Sequence, residues 1–248
     1  MTTSDITTAH GPMRIINEDI WISRSLRELG EHSASELRMM YMILGLLSRG
    51  HYDSTVVDAG AFIGDLTIPL SRFCKRVYAF EPQAPVREIL THNLEINGCT
   101  NVIVLPYALG DQCQAISYDT DSIETNPGGT QMATEGAGSV EMVTLDSLQI
   151  DVDFLKADVE GMEIPLLAGG LETLTRTRCP LFLERDTVIN EAYLPLGQVM
   201  EGLGYDPYPM SFPMWRPDNP NGAPNTFGAT VSHMMLGIAR GGGTPVRP

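Results

Sequence analysis

Val56-Val57-Asp58-Ala59-Gly60-Ala61-Phe62-Ile63-Gly64-Asp65-Leu66-Thr67 is followed, after a short span of helical composition, by Val77-Tyr78-Ala79-Phe80-Glu81. Read in order, the pieces give an apolar strand, a glycine turn, a helix and a second strand that ends in a carboxylate. That is the layout of a nucleoside-binding unit. Its glycines let backbone approach a ligand closely, and an acid at the end of the second strand meets ribose hydroxyls. Nicotinamide and flavin sites usually carry G-x-G-x-x-G, whose glycines leave room for a pyrophosphate on the helix N-terminus. Here Phe62 takes the middle-glycine position and Asp58 stands two residues before Gly60. The ring would crowd a phosphate and the carboxylates would repel it. S-adenosylmethionine, a phosphate-free cosubstrate with a sulfonium and an ammonium, suits both features.

Outward from this unit the pattern repeats. Strand 54 to 59, helix 64 to 73, strand 76 to 81, helix 84 to 97 and strand 101 to 107 predict a parallel sheet with right-handed crossovers. Further on come a strand 153 to 158 ending in Asp158, a helix 162 to 174, a strand 180 to 184 ending in Glu184, a helix 187 to 203 and a last strand 229 to 239. The fold class expected is therefore α/β, a doubly wound sheet with helices on both faces, in which ligands bind at the C-terminal strand ends. Ahead of it, residues 1 to 16 read as polar and irregular. Ile22, Leu26 and Leu29 mark a short helix, and Ser33-Ala34-Ser35-Glu36 is a capping signature for a helix ending near Gly50. Two segments resist regular structure. Residues 126 to 138, with Pro127, Gly128, Gly129, Gly136 and Gly138, read as a loop beside the site. Residues 207 to 224 hold Pro207, Pro209, Pro213, Pro217, Pro220 and Pro224, which exclude a helix or a central strand.

Composition narrows the partners. With 16 Lys and Arg against 31 Asp and Glu, the net charge of −15 repels a phosphate backbone, so a nucleic-acid substrate is disfavoured. Cys74, Cys99, Cys113 and Cys179 are widely spaced, without a C-x-x-C pair, and read as buried thiols in a reducing cytoplasm. No apolar run reaches a membrane-spanning length and the N-terminus lacks a signal-peptide pattern, so the expected location is cytoplasmic, away from the membrane. Neither heptads nor a spare apolar stripe speak to oligomeric state.

With these pieces assembled, the chain resembles the FkbM family of S-adenosylmethionine-dependent methyltransferases over roughly residues 54 to 186. The resemblance rests on Val57 to Ala61 with Ile63, Gly64 and Thr67, on Phe80-Glu81-Pro82 with Leu90, Asn93 and Asn97, and on Ala108-Leu109-Gly110-Asp111. It rests too on Thr144-Leu145-Asp146-Ser147-Leu148 and on Leu155-Lys156-Ala157-Asp158-Val159-Glu160-Gly161-Met162-Glu163 with Leu167 and Gly169. Phe62 and Gln83 depart from it, standing where the family often has asparagine. The resemblance implies a class I, Rossmann-like methyltransferase sheet that O-methylates a natural-product or sugar hydroxyl. The layout expected is an N-terminal helical cap over 1–50, a methyltransferase domain over 51–240 with a proline- and aromatic-rich loop at 207–227, and a tail at 241–248.

Candidate roles follow from chemistry. The turn around Asp58, Gly60, Ala61, Phe62 and Gly64 would hold the methionyl part, Glu81 would accept from both ribose hydroxyls, and Tyr107, Ala108 and Leu109 would line the adenine pocket. Asp58 could equally be a buried carboxylate serving the turn. Asp158, beside the first strand, would lie near the transferred methyl as base or as orienting group, with Glu160 at the substrate. Glu184 and His233 are further catalytic candidates, though an isolated strand histidine is more often a core residue. Tyr208, Phe212 and Trp215 would form a substrate wall or simply anchor their loop. Asp158, Glu184 and Asp186 could cage Mg²⁺, an alternative not favoured over metal-free transfer. Methyl transfer to nitrogen or protein, a catalytically silent binding module and a dehydrogenase are the competing readings.

Overall fold

The computed structural model describes residues 1–47, 51–118, 132–133, 138–185 and 193–241. In chain order these form β1 (Thr3–Thr8), β2 (Gly11–Ile16), α1 (Ile22–Leu29), α2 (Ala34–Leu47), β3 (Thr55–Ala59), α3 (Thr67–Ser71), β4 (Arg76–Phe80) and α4 (Ala84–Ile96). They continue with β5 (Val102–Leu105), β6 (Tyr107–Leu109), β7 (Gln114–Tyr118), β8 (Met132–Ala133), β9 (Gly138–Val143) and β10 (Phe154–Ala157). The last are α5 (Glu163–Gly169), α6 (Leu171–Thr177), β11 (Leu181–Glu184), α7 (Tyr193–Gly202), β12 (Tyr205–Pro213) and β13 (Val231–Ala239).

A 7-stranded sheet runs in the order β12-β13-β11-β10-β3-β4-β5. Its central pairs are parallel, and only β13 runs against its neighbours. The cores on its two faces follow from strand alternation: Val56, Val77, Ala79, Phe154 and Phe182 pack with α2 and α4, whereas Val57, Leu155, Leu181 and Leu183 pack with α5, α6 and α7. This is the doubly wound α/β sheet that the sequence implies. Chain order reverses between β3 and β10, and the crevice that such a reversal opens lies at their C-terminal ends.

Several elements differ from the sequence reading, each for a physical reason. Residues read as irregular at the N-terminus form the β1–β2 hairpin, because Met13, Ile15 and Ile16 are buried in the core beside α4. The strand expected at 101 to 107 is split at Pro106, and β6 leaves for a second, 4-stranded sheet of order β6-β9-β7-β8. The single helix expected over 162 to 174 breaks at Gly169-Gly170. A Cβ on Gly169 would stand 1.9 Å from the carbonyl oxygen of Gly110, so backbone packs there at a distance only glycine allows. The proline-rich segment is in part a strand, β12, at the sheet's edge. Pro207, Pro209 and Pro213 share one parity in its register, so their missing N–H groups all fall on the unpaired side. Most of the loop read at 126 to 138 lies outside the described residues. Among the described residues no helix is long and apolar enough to cross a membrane.

Asn93 joins the hairpin to the sheet. Its side chain is buried, accepts the Arg14 N–H at 2.6 Å and donates to the carbonyls of Arg14 and Ile63, each at 2.9 Å. One amide thereby ties the N-terminal segment to the glycine turn. Asn93→Ala is expected to lower the unfolding free energy by about 2–4 kcal/mol in urea denaturation, since partners are left unsatisfied in a buried place. Asn97→Ala, on the more exposed turn of α4, is expected to cost less.

Candidate active site

The site grows from the C-terminal ends of neighbouring strands β3 and β10, where the chain order of the sheet reverses. Gly60 has φ +76°, and a Cβ there would stand 1.8 Å from the carbonyl oxygen of Asp158. Only a glycine lets the turn pass so close to the end of β10. The turn is then hung on β4: the N–H groups of Gly60 and Ala61 donate to Phe80 O at 3.1 and 3.0 Å. Phe62, with φ +48°, holds a left-handed conformation that costs a non-glycine residue energy. Its N–H donates to Glu81 Oε2 at 3.0 Å, while Glu81 Oε1 accepts the Gln83 N–H at 2.9 Å. Burial pushes the Glu81 carboxyl up to about 7, against the pull of those two amides.

Beneath the turn lies a buried charge pair. Asp58 is fully buried, accepts the Thr67 hydroxyl at 2.6 Å through Oδ2, and sits 3.1 Å from Lys156 Nζ through Oδ1. Lys156 also donates to Gly60 O at 2.9 Å. Burial opposes its charge, and Asp58 first, then Asp158 and Asp65, more than reverse that effect and raise its pKa. Asp58 therefore braces the turn from below and does not line the cavity.

A cavity of about 620 Å³ opens above these strand ends. Of the expected site residues it brings together Gly60, Phe62, Glu81, Tyr107, Ala108, Leu109, Asp158, Glu160 and Glu184. Ala61 is buried under the turn, and Gly64 turns at φ +90° against Leu90, outside the lining. Tyr208 and Phe212 lie on edge strand β12, where Tyr208 is 50% exposed and Phe212 meets Phe182 with ring centroids 6.0 Å apart. The Trp215 ring nitrogen donates to Ala223 O at 2.9 Å, so this aromatic pins its own loop. Cavity wall from that region is supplied instead by Met214, Thr230, Val231 and Ser232. His233 is also outside the lining; its Nδ1 lies 2.8 Å from Ser211 Oγ and 3.2 Å from Arg185, and burial and the arginine's charge lower its pKa.

Three carboxylates crowd one end. Asp158, Glu160 and Glu184 each present an oxygen, all within 4.8 Å of one another, a set with the chemistry to hold a cation. Asp186 lies outside the described residues. Burial first, then the charge of Asp158 and its hydrogen bond, raise the Glu184 carboxyl far above the ordinary carboxylate range. Glu163, at the start of α5, accepts the Val159 N–H at 3.0 Å.

Sequence reasoning missed two elements of this site. Lys156 interrupts an otherwise apolar strand, and a buried lysine requires a charge partner, which was the available signal. The second is a set from the N-terminal segment. His32 Nδ1 lies 2.8 Å from Asp65 Oδ2, and the Ser33 hydroxyl donates to Glu36 Oε1 at 3.0 Å, all four residues facing the cavity. The capping signature at Ser33 and Glu36 was legible; that it would face a ligand was not.

The sheet order, the switch-point crevice and the acidic end of β4 define a class I, Rossmann-like methyltransferase fold. A profile described as the methyltransferase FkbM domain matches residues 58–207, more than half of the 248-residue chain. The chain belongs to the FkbM methyltransferase family. Among solved structures, methyltransferase FkbM of Methylobacillus flagellatus KT is similar at TM-score 0.54 and 17% identity, over 77% of this chain and 45% of that one. The chain thus spans less than half the length of that relative. TYW2 of M. jannaschii, solved in complex with AdoMet, is similar at TM-score 0.52 and 17% identity, over 96% of this chain and 85% of that one. Precorrin-6y C5,15-methyltransferase of Geobacter metallireducens GS-15 gives 0.50 and 13%, over 82% and 88%. At such identities the likeness is one of fold. No curated protein matches the chain in sequence.

Removing one member of the buried pair strands the other. Lys156→Met is expected to destabilise the fold by about 3–5 kcal/mol in urea denaturation, and the Asp58→Asn/Lys156→Met double variant is expected to recover a large part of that loss.

Proposed function

We propose that the chain is an S-adenosylmethionine-dependent O-methyltransferase acting on a hydroxyl of a small molecule, such as a natural product or a sugar-containing metabolite. The observation that carries this reading is one cavity that holds Glu81 and the Tyr107–Leu109 strand together with Asp158, Glu160 and Glu184. Adenosine is assigned to the former and the acceptor to the latter. Support for the cosubstrate comes from the family and from the fold shared with TYW2, solved with AdoMet. The net charge of −15 favours a small acceptor over a nucleic acid.

In this reading Glu81 has a double task. Its oxygens already accept the Phe62 and Gln83 amides, and each retains a lone pair for a ribose hydroxyl. Phe62 closes the turn where a pyrophosphate would otherwise fit. Asp158 accepts the acceptor's hydroxyl proton, and Glu184, kept neutral beside it, lowers the repulsion that a second ionised carboxylate would add. Transfer itself is an in-line displacement at a carbon that the sulfonium already activates. Alignment of nucleophile, methyl and sulfur can supply on the order of 7–11 kcal/mol, whereas a positioned base adds about 10²–10⁴ in rate. The step needs no Lewis acid, so metal-free transfer is proposed.

Isothermal titration with S-adenosylhomocysteine tests the cosubstrate, and no heat at millimolar ligand rejects the proposal. Glu81→Gln, which keeps the size but loses the charge, is expected to weaken that binding by about 1.5–3 kcal/mol. Methyl-labelled cosubstrate offered to a panel of sugars and phenols should yield O-methyl products by mass spectrometry. Asp158→Asn should slow that transfer by about 10²–10⁴ while product affinity changes less than about tenfold. Transfer should survive a chelator; loss that Mg²⁺ restores would move the carboxylates from base to metal site.

A further inference from the structure

The amino-acid end of the donor poses a charge problem. Its carboxylate must enter a cavity lined by Asp19, Glu36, Asp65, Asp158, Glu160 and Glu184. Among the described lining residues the basic side chains are Lys156 and His32. Lys156 is engaged with Asp58 at 3.1 Å and with Gly60 O at 2.9 Å, and its side chain is 4% exposed. His32 stands differently. Its Nδ1 meets Asp65 Oδ2 at 2.8 Å, and its Nε2 lies 3.3 Å from Ser33 Oγ.

We propose that His32, oriented by Asp65, is the cationic seat for the methionyl carboxylate of the donor. This rests on the cosubstrate reading above. An imidazolium has two N–H donors, so Nδ1 can bond Asp65 while Nε2 shares its proton between Ser33 Oγ, at 3.3 Å, and the ligand. The place is right as well. Asp65 directly follows Gly64, and its charge reaches Lys156 under Gly60, which sets the pair at the glycine turn, away from the adenosine wall at Tyr107–Leu109. A donor whose ribose is at Glu81 and whose sulfur nears Asp158 directs its amino-acid end there.

The groups that face His32 are Asp65 on the turn, Glu36 on α2 and Asp19 ahead of α1, while Lys156 on β10 acts on Asp65. Burial pulls the His32 pKa down, and the hydrogen bond and charge of Asp65, aided by Glu36 and Asp19, raise it above the ordinary value. The imidazolium therefore persists to higher pH than in water. The carboxylate grip is present below the raised pKa and is lost as pH climbs through it.

The test compares S-adenosylmethionine with decarboxylated S-adenosylmethionine, which keeps adenosine, sulfonium and amine. At about pH 6.5 the full-length protein should prefer the complete donor by about tenfold or more in isothermal titration. His32→Gln should nearly abolish that preference, with Asp65→Asn falling between. In the unmodified protein the ratio of the two affinities should shrink toward about pH 8.5. Titration of Glu81 cancels in that ratio because both ligands carry the ribose, and titration of the α-amine, which falls near about pH 8 in the complete donor alone, is removed by reading the same profile in His32→Gln. An undiminished preference in His32→Gln, a ratio flat with pH, or equal affinities in the unmodified protein would each overturn the assignment. Should His32→Gln fail to fold, His32→Asn replaces it in both readings. If neither ligand binds the unmodified protein, the cosubstrate reading itself falls, and this assignment with it.

Discussion

The buried pair of Lys156 and Asp58, 3.1 Å apart and paired in register across β3 and β10, is the constraint on which the site depends. It lies where the chain order of the sheet reverses, so it clamps the two strands between which a ligand crevice must open. Burying two charges is costly, and the cost is offset only when each finds all its partners. Here Asp58 also accepts from Thr67, and Lys156 also donates to Gly60 O. The ammonium thereby fixes the turn that the cosubstrate is proposed to meet. A change at this pair would be felt in the fold before it was felt in chemistry.

Above that clamp, carboxylates of similar intrinsic acidity are driven apart by their surroundings. Glu81 is fed by two backbone amides yet buried enough to rise to about 7. Glu184, buried beside Asp158, is held neutral. The N-terminal segment adds His32 to this set, and Asn93 keeps that segment in place by bonding Arg14 and Ile63 at once.

Legibility in the sequence followed the range of the forces involved. Hydrophobic runs of strand length, glycines with room for a ligand and acids at strand ends are local signals, and they gave the α/β order, Gly60, Glu81 and Asp158. The hairpin of residues 3–16 was missed because its apolar positions become meaningful only against α4. Tyr208, Phe212 and Trp215 suit a substrate wall or a loop anchor equally well in the sequence, and only the edge strand and the hydrogen bond from Trp215 to Ala223 show them off the cavity lining. Lys156 lies within the Leu155–Glu163 motif, but its role is not legible there, since the meaning of a charged residue in a strand depends on which strand lies beside it.

What the sequence by itself determined is the kind of molecule: a doubly wound sheet with a glycine turn at its switch point, because backbone conformation and strand burial are set by residues near one another in the chain. Only the tertiary structure decided which side of the cavity each charge serves. It moved Asp58 beneath the turn, set His233 off the lining and brought His32 and Asp65 together over a separation of 33 residues. Electrostatic roles are fixed by distance and burial in space, and neither quantity is written in spacing along a chain.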